Sequence, residues 1–175
     1  HEPQLEKYFS EIAQRADLYF ESDGRRIAVE FQCAVISVEQ VKKRTLGYRK
    51  IGIHPIWILD VRHLKKNKGF SFSITPFLWS ASSGSVRNPQ FLFYSPSLKE
   101  FTFLIHPLPF SPKHTFAVPI HLPQDQLDIG FLFRYPACLP VKLQSWMHRK
   151  RTWRLLGTRF ATVQDELFLG IYKER

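Results

Sequence analysis

Apolar and polar positions alternate along Arg15 to Gln32 (RADLYFESDGRRIAVEFQ), interrupted at the centre by Asp23-Gly24. Period-two alternation is a strand pattern. Asp-Gly suits the two positive-φ positions of a type I′ turn. The two runs read as a β-hairpin whose register follows from the turn: Ser22 faces Arg25, Phe20 faces Ile27, Leu18 faces Val29, Asp17 faces Glu30 and Arg15 faces Gln32. Alternation then assigns Ala16, Leu18, Phe20, Ile27, Val29 and Phe31 to one apolar face, and Arg15, Asp17, Tyr19, Ala28, Glu30 and Gln32 to the other.

Before the hairpin, His1 to Phe9 reads as extended, with Leu5, Lys7 and Phe9 alternating against Glu6 and Tyr8, and Ser10 to Gln14 as a short connection. After it, Ser37 and Gln40 form a capping box, and Ile36 and Val41 stand at the positions of a hydrophobic staple. The pattern predicts a helix to about Ile51, stopped by Gly52, with Val38, Val41, Thr45 and Tyr48 on one face. Pro55 to Leu59 is a continuous apolar run, as in a strand covered on both faces. Strand, helix and buried strand together read as a right-handed crossover, with the hairpin in the middle of the sheet. Beyond Phe70 the texture becomes short aromatic runs (Phe70 to Ile74, Phe91 to Tyr94, Phe101 to Ile105, Thr115 to Ile120), which read as strands. Ser80 to Pro89 reads as a loop. All twelve prolines except Pro3 and Pro55 lie between Pro76 and Pro140, which argues against long helices there. From Val141 the pattern turns helical, with Leu143, Trp146, Met147, Trp153 and Leu156 apolar, and a last helix is expected over Thr162 to Tyr172.

Composition narrows the classes. With 44% hydrophobic residues and 16 Phe in 175 residues, the chain can bury a sizeable core. It contains no apolar run long enough for a membrane span and no signal-peptide pattern, so a cytoplasmic protein is expected. The spacing of Cys33 and Cys138 suits neither a zinc site nor a disulfide framework, and Cys33 reads as buried packing. A net charge of +10 favours polyanions, nucleic acid first. The charge gathers in Leu139 to Arg159 (Lys142, Arg149, Lys150, Arg151, Arg154, Arg159) and again in Arg62, Lys65, Lys66 and Lys68. Seven scattered histidines carry no ligand motif. Trp57 and Trp79 read as core, whereas Trp146 and Trp153, beside the first basic cluster, could stack on bases.

Asp17 and Glu30 are the focus of candidate chemistry. Two carboxylates facing each other across strands repel. The pair is explained either by a solvated outer face with Arg15 neutralising one acid, or by a bound hard cation completed by water and phosphate oxygens. Gln32, two residues beyond Glu30, points to the side on which Asp17 lies, an arrangement that a metal-dependent phosphodiesterase needs: acidic ligands fixed on rigid strands.

The acid, E-x-Q on the next strand, then helix and strand, resemble the PD-(D/E)XK nuclease core. More narrowly, Gln14-Arg15-Ala16-Asp17, Arg26 to Cys33, Ser37, Arg44-Thr45, Tyr48 and Ile56-Trp57-Ile58-Leu59 resemble the competence protein CoiA family over roughly Glu2 to Asp60. The resemblance implies that Asp17 and Glu30 ligate Mg2+ or Mn2+, and that Gln32 stands where most of the superfamily has Lys. It implies that Arg44 and Tyr48, spaced R-x-x-x-Y like the Q-x-x-x-Y motif of the exonuclease branch, contact DNA near the site. The acid-bearing helix that often precedes the first strand has no counterpart, although Glu2 and Glu6 could supply an acid.

The expected fold is α/β: a restriction-endonuclease-like core over residues 1–68, with a mixed sheet and crossover helix, followed over 69–175 by a β-rich, then helical, basic region. The expected function is a metal-dependent DNA nuclease acting in natural transformation and recombination. Asp17, Glu30 and Gln32 would be catalytic. Arg15, Arg44, Tyr48, Arg149, Lys150, Arg151 and Arg154 would contact DNA, single-stranded or branched, with recombination proteins as possible partners. The competing expectation is a catalytically silent DNA-binding accessory protein that delivers transforming DNA to the recombination machinery.

Overall fold

A computed structural model describes residues 2–67, 71–85, 88–111 and 114–127. His1–Gln124 form one compact unit and Asp125–Arg175 a second. The first unit is α/β, built on a mixed sheet. Its elements are β1 (Gln4–Phe9), β2 (Gln14–Ser22), β3 (Arg25–Gln32), α1 (Val38–Lys50), β4 (Ile53–Asp60), β5 (Lys65–Lys66), β6 (Ser71–Ser73), α2 (Pro76–Ser80), β7 (Ser83–Ser85), β8 (Asn88–Ser95), β9 (Glu100–Ser111) and β10 (His114–Pro123). The sheet order is β1-β2-β3-β4-β8-β9-β10-β6-β5, with β7 added on β8.

The hairpin forms in the expected register from Ser22–Arg25 to Leu18–Val29, around Asp23 and Gly24, both at positive φ. It lies one strand in from an edge, not in the middle of the sheet. β3 and β4 pair in parallel, which requires a crossover, and α1 supplies it. Ser37 accepts from the Gln40 amide and Gln40 reaches back to the Ser37 amide, so the capping box is complete. β4 is buried from Pro55 to Asp60, as expected of a parallel strand. It then pairs in parallel with β8 at Leu59–Phe93 and Asp60–Tyr94. The sheet therefore continues past residue 68, and the aromatic runs beyond it become strands of the same layer.

Three local expectations change. Thr75 caps α2 through the Leu78 amide, with Pro76 at the first helical position, so a short helix stands where none was expected. Part of the Ser80 to Pro89 segment pairs as β7 against β8. Cys33 is exposed, not buried, because it lies past the end of β3 where no strand covers it. The expected helices from Val141 and over Thr162 to Tyr172 lie outside the described residues, as do Cys138, Lys68 and the Arg149 cluster.

The larger core packs Val41 of α1 with Trp57, Leu59, Phe72, Phe77, Leu78, Phe91, Phe93 and Leu104. A smaller one places Tyr48 with Phe9, Ala16, Tyr19, Ala28 and Ile53. The small side chains at Ala16 and Ala28 leave room for aromatic rings. Phe9 meets Tyr19 and Tyr48 edge-on at 5.3 and 6.0 Å.

The second core corrects the face assignment. Ala16 packs beneath α1 with Tyr19 and Ala28, not on the opposite side with Leu18 and Phe20. The β1–β2 ladder runs through Gln4–Tyr19 and Leu5–Leu18, omits Glu6 and Asp17, and resumes at Lys7–Ala16. Glu6 has a φ of 52°, unusual for a non-glycine residue. A single irregular position exchanges the faces of everything beyond it. Gln14 and Ala16 therefore turn toward α1, and Arg15 away from it.

Candidate active site

Glu30 lies on the face of β3 covered by α1 and is 2% exposed. An ionised carboxylate at such depth needs partners, since an unpaired buried charge is costly. α1 supplies two, one turn apart. The Tyr48 hydroxyl donates to Oε1 and the Arg44 guanidinium donates to Oε2. Positions four apart on a helix share a face, so the R-x-x-x-Y spacing delivers both donors to one carboxylate. Burial raises the pKa of Glu30; the bonds from Tyr48 and Arg44 oppose that rise, and the charge of Asp17 adds to it. Burial, then the bond to Glu30, also pushes the Tyr48 hydroxyl upward, so it remains protonated as a donor.

Arg44 is the more exposed of the two donors, with 35% of its side chain accessible. It also donates to the Arg15 carbonyl at 2.9 Å, tying α1 to β2. Its guanidinium lies 5.9 Å from the centre of the Trp57 ring, within cation–π range. Trp57 in turn donates to Thr45 at 3.0 Å. The Arg44 Nε is buried and has no hydrogen-bond partner among the described residues.

Asp17 stands where the β1–β2 ladder skips and the β2–β3 pairing ends. Its Oδ2 accepts the Phe31 backbone N–H at 2.7 Å, taking the place of a ladder bond next to Glu30. Irregular strand positions of this kind re-aim a side chain beside functional sites. Gln32 donates from Nε2 to the Ala34 carbonyl at 2.7 Å, so its amide oxygen remains as its acceptor.

The other expected contact residues are distributed differently. Arg15 pairs with Glu6 at 3.5 Å on an exposed surface, away from α1. Tyr48 is fully buried and presents no surface to a phosphate; it stands behind Glu30. Arg62 is bound to Asp60 by Nε and by a second nitrogen, at 2.9 and 2.7 Å, so its charge is compensated locally. His63 bonds the Cys33 carbonyl at 2.9 Å, which brings the start of the second basic cluster beside the end of β3. Arg149, Lys150, Arg151 and Arg154 lie outside the described residues. Sequence reasoning missed the Arg44–Glu30 contact and the closeness of Gln14 to Gly47, although Arg44, Glu30 and Gln14 fall within the stretches that carry the family resemblance.

Asp17, Glu30 and Gln32 offer only oxygen donors, the set that hard divalent cations take. Each Glu30 oxygen accepts one hydrogen bond and Asp17 accepts one, and a carboxylate has about four acceptor positions, so ligand capacity remains. Asp17 and Glu30 are thus two carboxylates with acceptor positions to spare, and no third acid, histidine or cysteine joins them among the described residues.

Over 174 residues the chain is 28% identical to the competence protein CoiA of Bacillus subtilis (strain 168), covering 99% of the chain and 46% of that protein. The chain thus spans about half the length of this curated relative. No solved structure matches it. No helix among the described residues is long and apolar enough to cross a membrane. The model of the competence protein CoiA nuclease-like domain matches residues 1–137, most of the chain, and the chain belongs to that family.

Proposed function

We propose that the chain is a metal-dependent DNA nuclease that acts in the cytoplasm on DNA taken up in natural transformation, with single-stranded or branched DNA as substrate and recombination proteins downstream. The observation that carries this reading is the anchoring of two acids at one point of the sheet. Asp17 is fixed on the amide of the residue that follows Glu30, and Glu30 is fixed by two donors from α1. Such preorganisation serves a site whose ligands must keep their place while charge develops nearby. Asp17 and Glu30 would hold Mg2+ or Mn2+, and when bound the cation supplies Lewis-acid polarisation of a phosphate and activation of water. Tyr48 orients Glu30, Gln32 offers an uncharged oxygen to water or ligand, and Arg44 is the cation paired with Glu30 among the described residues. The basic segments, including Lys65 and Lys66, would follow the DNA backbone.

One observation favours a second reading. Arg44 already neutralises Glu30, as it would in a catalytically silent DNA-binding accessory protein with a structural ion pair. Asp17→Asn separates the two readings. For a nuclease, Mn2+ raises the melting temperature of the wild type, as a ligand specific for the folded state must. The substitution abolishes both that rise and the cleavage of labelled single-stranded, double-stranded and branched DNA, while DNA binding persists. Cleavage that survives in Asp17→Asn refutes the assignment of the site.

A further inference from the structure

We propose that Arg44 is an exchangeable partner of Glu30: it neutralises the buried carboxylate until a divalent cation arrives, and the released guanidinium then takes a phosphate of the nucleic acid, so that metal and substrate bind cooperatively. The inference rests on reading Asp17 and Glu30 as a metal site and adds the order and coupling of its ligands.

Glu30, almost without solvent, keeps its charge only beside a donor or a cation. Among the described residues, Arg44 is the one that forms an ion pair with it. The two donors on Glu30 differ in kind. Tyr48 is uncharged and fully buried, so it can remain on Oε1 beside a metal ion. Arg44 carries a full charge, and a guanidinium and a divalent cation on one carboxylate repel strongly at contact distance. Arg44 can also leave. About a third of its side chain is open to solvent, and it stands over the edge of the site on the Trp57 ring and the Arg15 carbonyl. Its Nε gains nothing by staying, because that atom is buried without a partner. Arg44 holds one oxygen of Glu30 while Tyr48 holds the other, whereas a phosphate offers a cationic side chain several charged oxygens at once.

The linkage follows from the shared group. Metal on Glu30 displaces Arg44, and phosphate on Arg44 vacates Glu30. Each ligand therefore favours the state that the other needs, and the coupling must be reciprocal. Without DNA the site holds its metal weakly.

The test is Mn2+ titration calorimetry on the full chain, with and without a short phosphorothioate oligothymidine that resists cleavage. In the wild type the oligonucleotide tightens Mn2+ binding by about fivefold or more, the low end of common coupling factors. In Arg44→Gln, Mn2+ binds without the oligonucleotide at least about fivefold tighter than in the wild type, and the oligonucleotide tightens it by a smaller factor than in the wild type, because only direct coordination of phosphate oxygens remains. Arg44→Lys retains the charge and keeps the dependence; it carries the test if Arg44→Gln does not fold. Mn2+ binding that is unaffected by the oligonucleotide in the wild type overturns the proposal, as does an Arg44→Gln that melts normally yet binds Mn2+ no tighter. Loss of coupling in a folded Arg44→Lys overturns it as well. If the wild type binds no Mn2+ under either condition, the metal-site reading falls and the exchange with it. Those results differ from a site that binds metal without coupling.

Discussion

The most direct probe of the site is Tyr48→Phe. The substitution removes one oxygen atom and keeps the ring, which is fully buried against Phe9, Ala16, Ala28 and Ile53. Packing is thereby held nearly constant, and the change isolates the bond from the Tyr48 hydroxyl to Glu30 Oε1. The Tyr48 side of Glu30 is fully buried, so water does not take the place of the lost donor there, and among the described residues Arg44 is the side chain that still donates to the carboxylate. A hydrogen bond to a charged group contributes about 1.5–3 kcal/mol. In a chain of this size each kcal/mol moves the melting midpoint by about 2–4 °C. The expected loss is therefore on the order of 3–12 °C, with a matching fall in the urea midpoint and no change in its slope. Repeating the substitution in a Glu30→Gln background assigns the effect, because a neutral acceptor forms a bond roughly half as strong. The penalty of Tyr48→Phe should shrink there by about half. A penalty below about 0.5 kcal/mol, within the range of a neutral surface substitution, would show that the hydroxyl does not support the carboxylate. An equal penalty in both backgrounds would assign it to packing.

Three other outcomes are expected. Gly47→Ala would place its Cβ 2.4 Å from Nε2 of Gln14, the far end of a flexible side chain that can swing aside, so the gain of about 1 kcal/mol from replacing a helical glycine is reduced but keeps its sign; Gln14→Ala in the same chain releases the full gain, and a Gly47→Ala protein less stable than the wild type would show that Gln14 cannot move. Asp60 has its pKa lowered by the side-chain bonds from Arg62, so its stabilisation is complete above the ordinary aspartate range and is lost as pH falls through the folded value; acid melts of Asp60→Asn should show less loss over that window than the wild type. Gln32→Lys adds a second cation beside the acid pair, so the rise in melting temperature on adding Mn2+ becomes smaller than in the wild type; a rise of unchanged size would place Gln32 outside the site.

Much of the first half of the fold is legible from short-range rules. Asp23-Gly24 sets the hairpin turn, Ser37 and Gln40 start α1, Gly52 ends it with a φ of 72°, and the apolar run at Ile56 marks a strand covered on both faces. Each is decided by residues within a few positions of one another. The face of Ala16 is not, because strict alternation assumes an unbroken ladder, and the interruption lies between Glu6 and Asp17 on different strands. The exposure of Cys33 depends on where β3 ends relative to its neighbours. The insertion of β8 beside β4, and of β6 beside β10, is set by long-range pairing that no local pattern encodes. The site was partly legible for the same reason. Asp17 and Glu30 could be brought together by counting from the turn, whereas the reach of Arg44 onto Glu30 required the packing of α1 over the sheet.

That packing also changes the physical problem the two acids pose. Facing carboxylates in a regular ladder would share one environment and repel, with a cation as the natural remedy. Here the irregular position at Asp17 separates their support. Asp17 draws on a backbone amide of β3, and Glu30 on a phenol and a guanidinium from the opposite side. The acids can therefore remain near each other with no cation between them. A site assembled by metal alone would be loose in its absence, with ligands reorganising at each binding event. In the proposed metal site, prior anchoring would limit that reorganisation to one strong competitor, Arg44, as the group a metal would have to displace. On that proposal, the residue that pairs with Glu30 in the resting site would also set how readily the site is loaded.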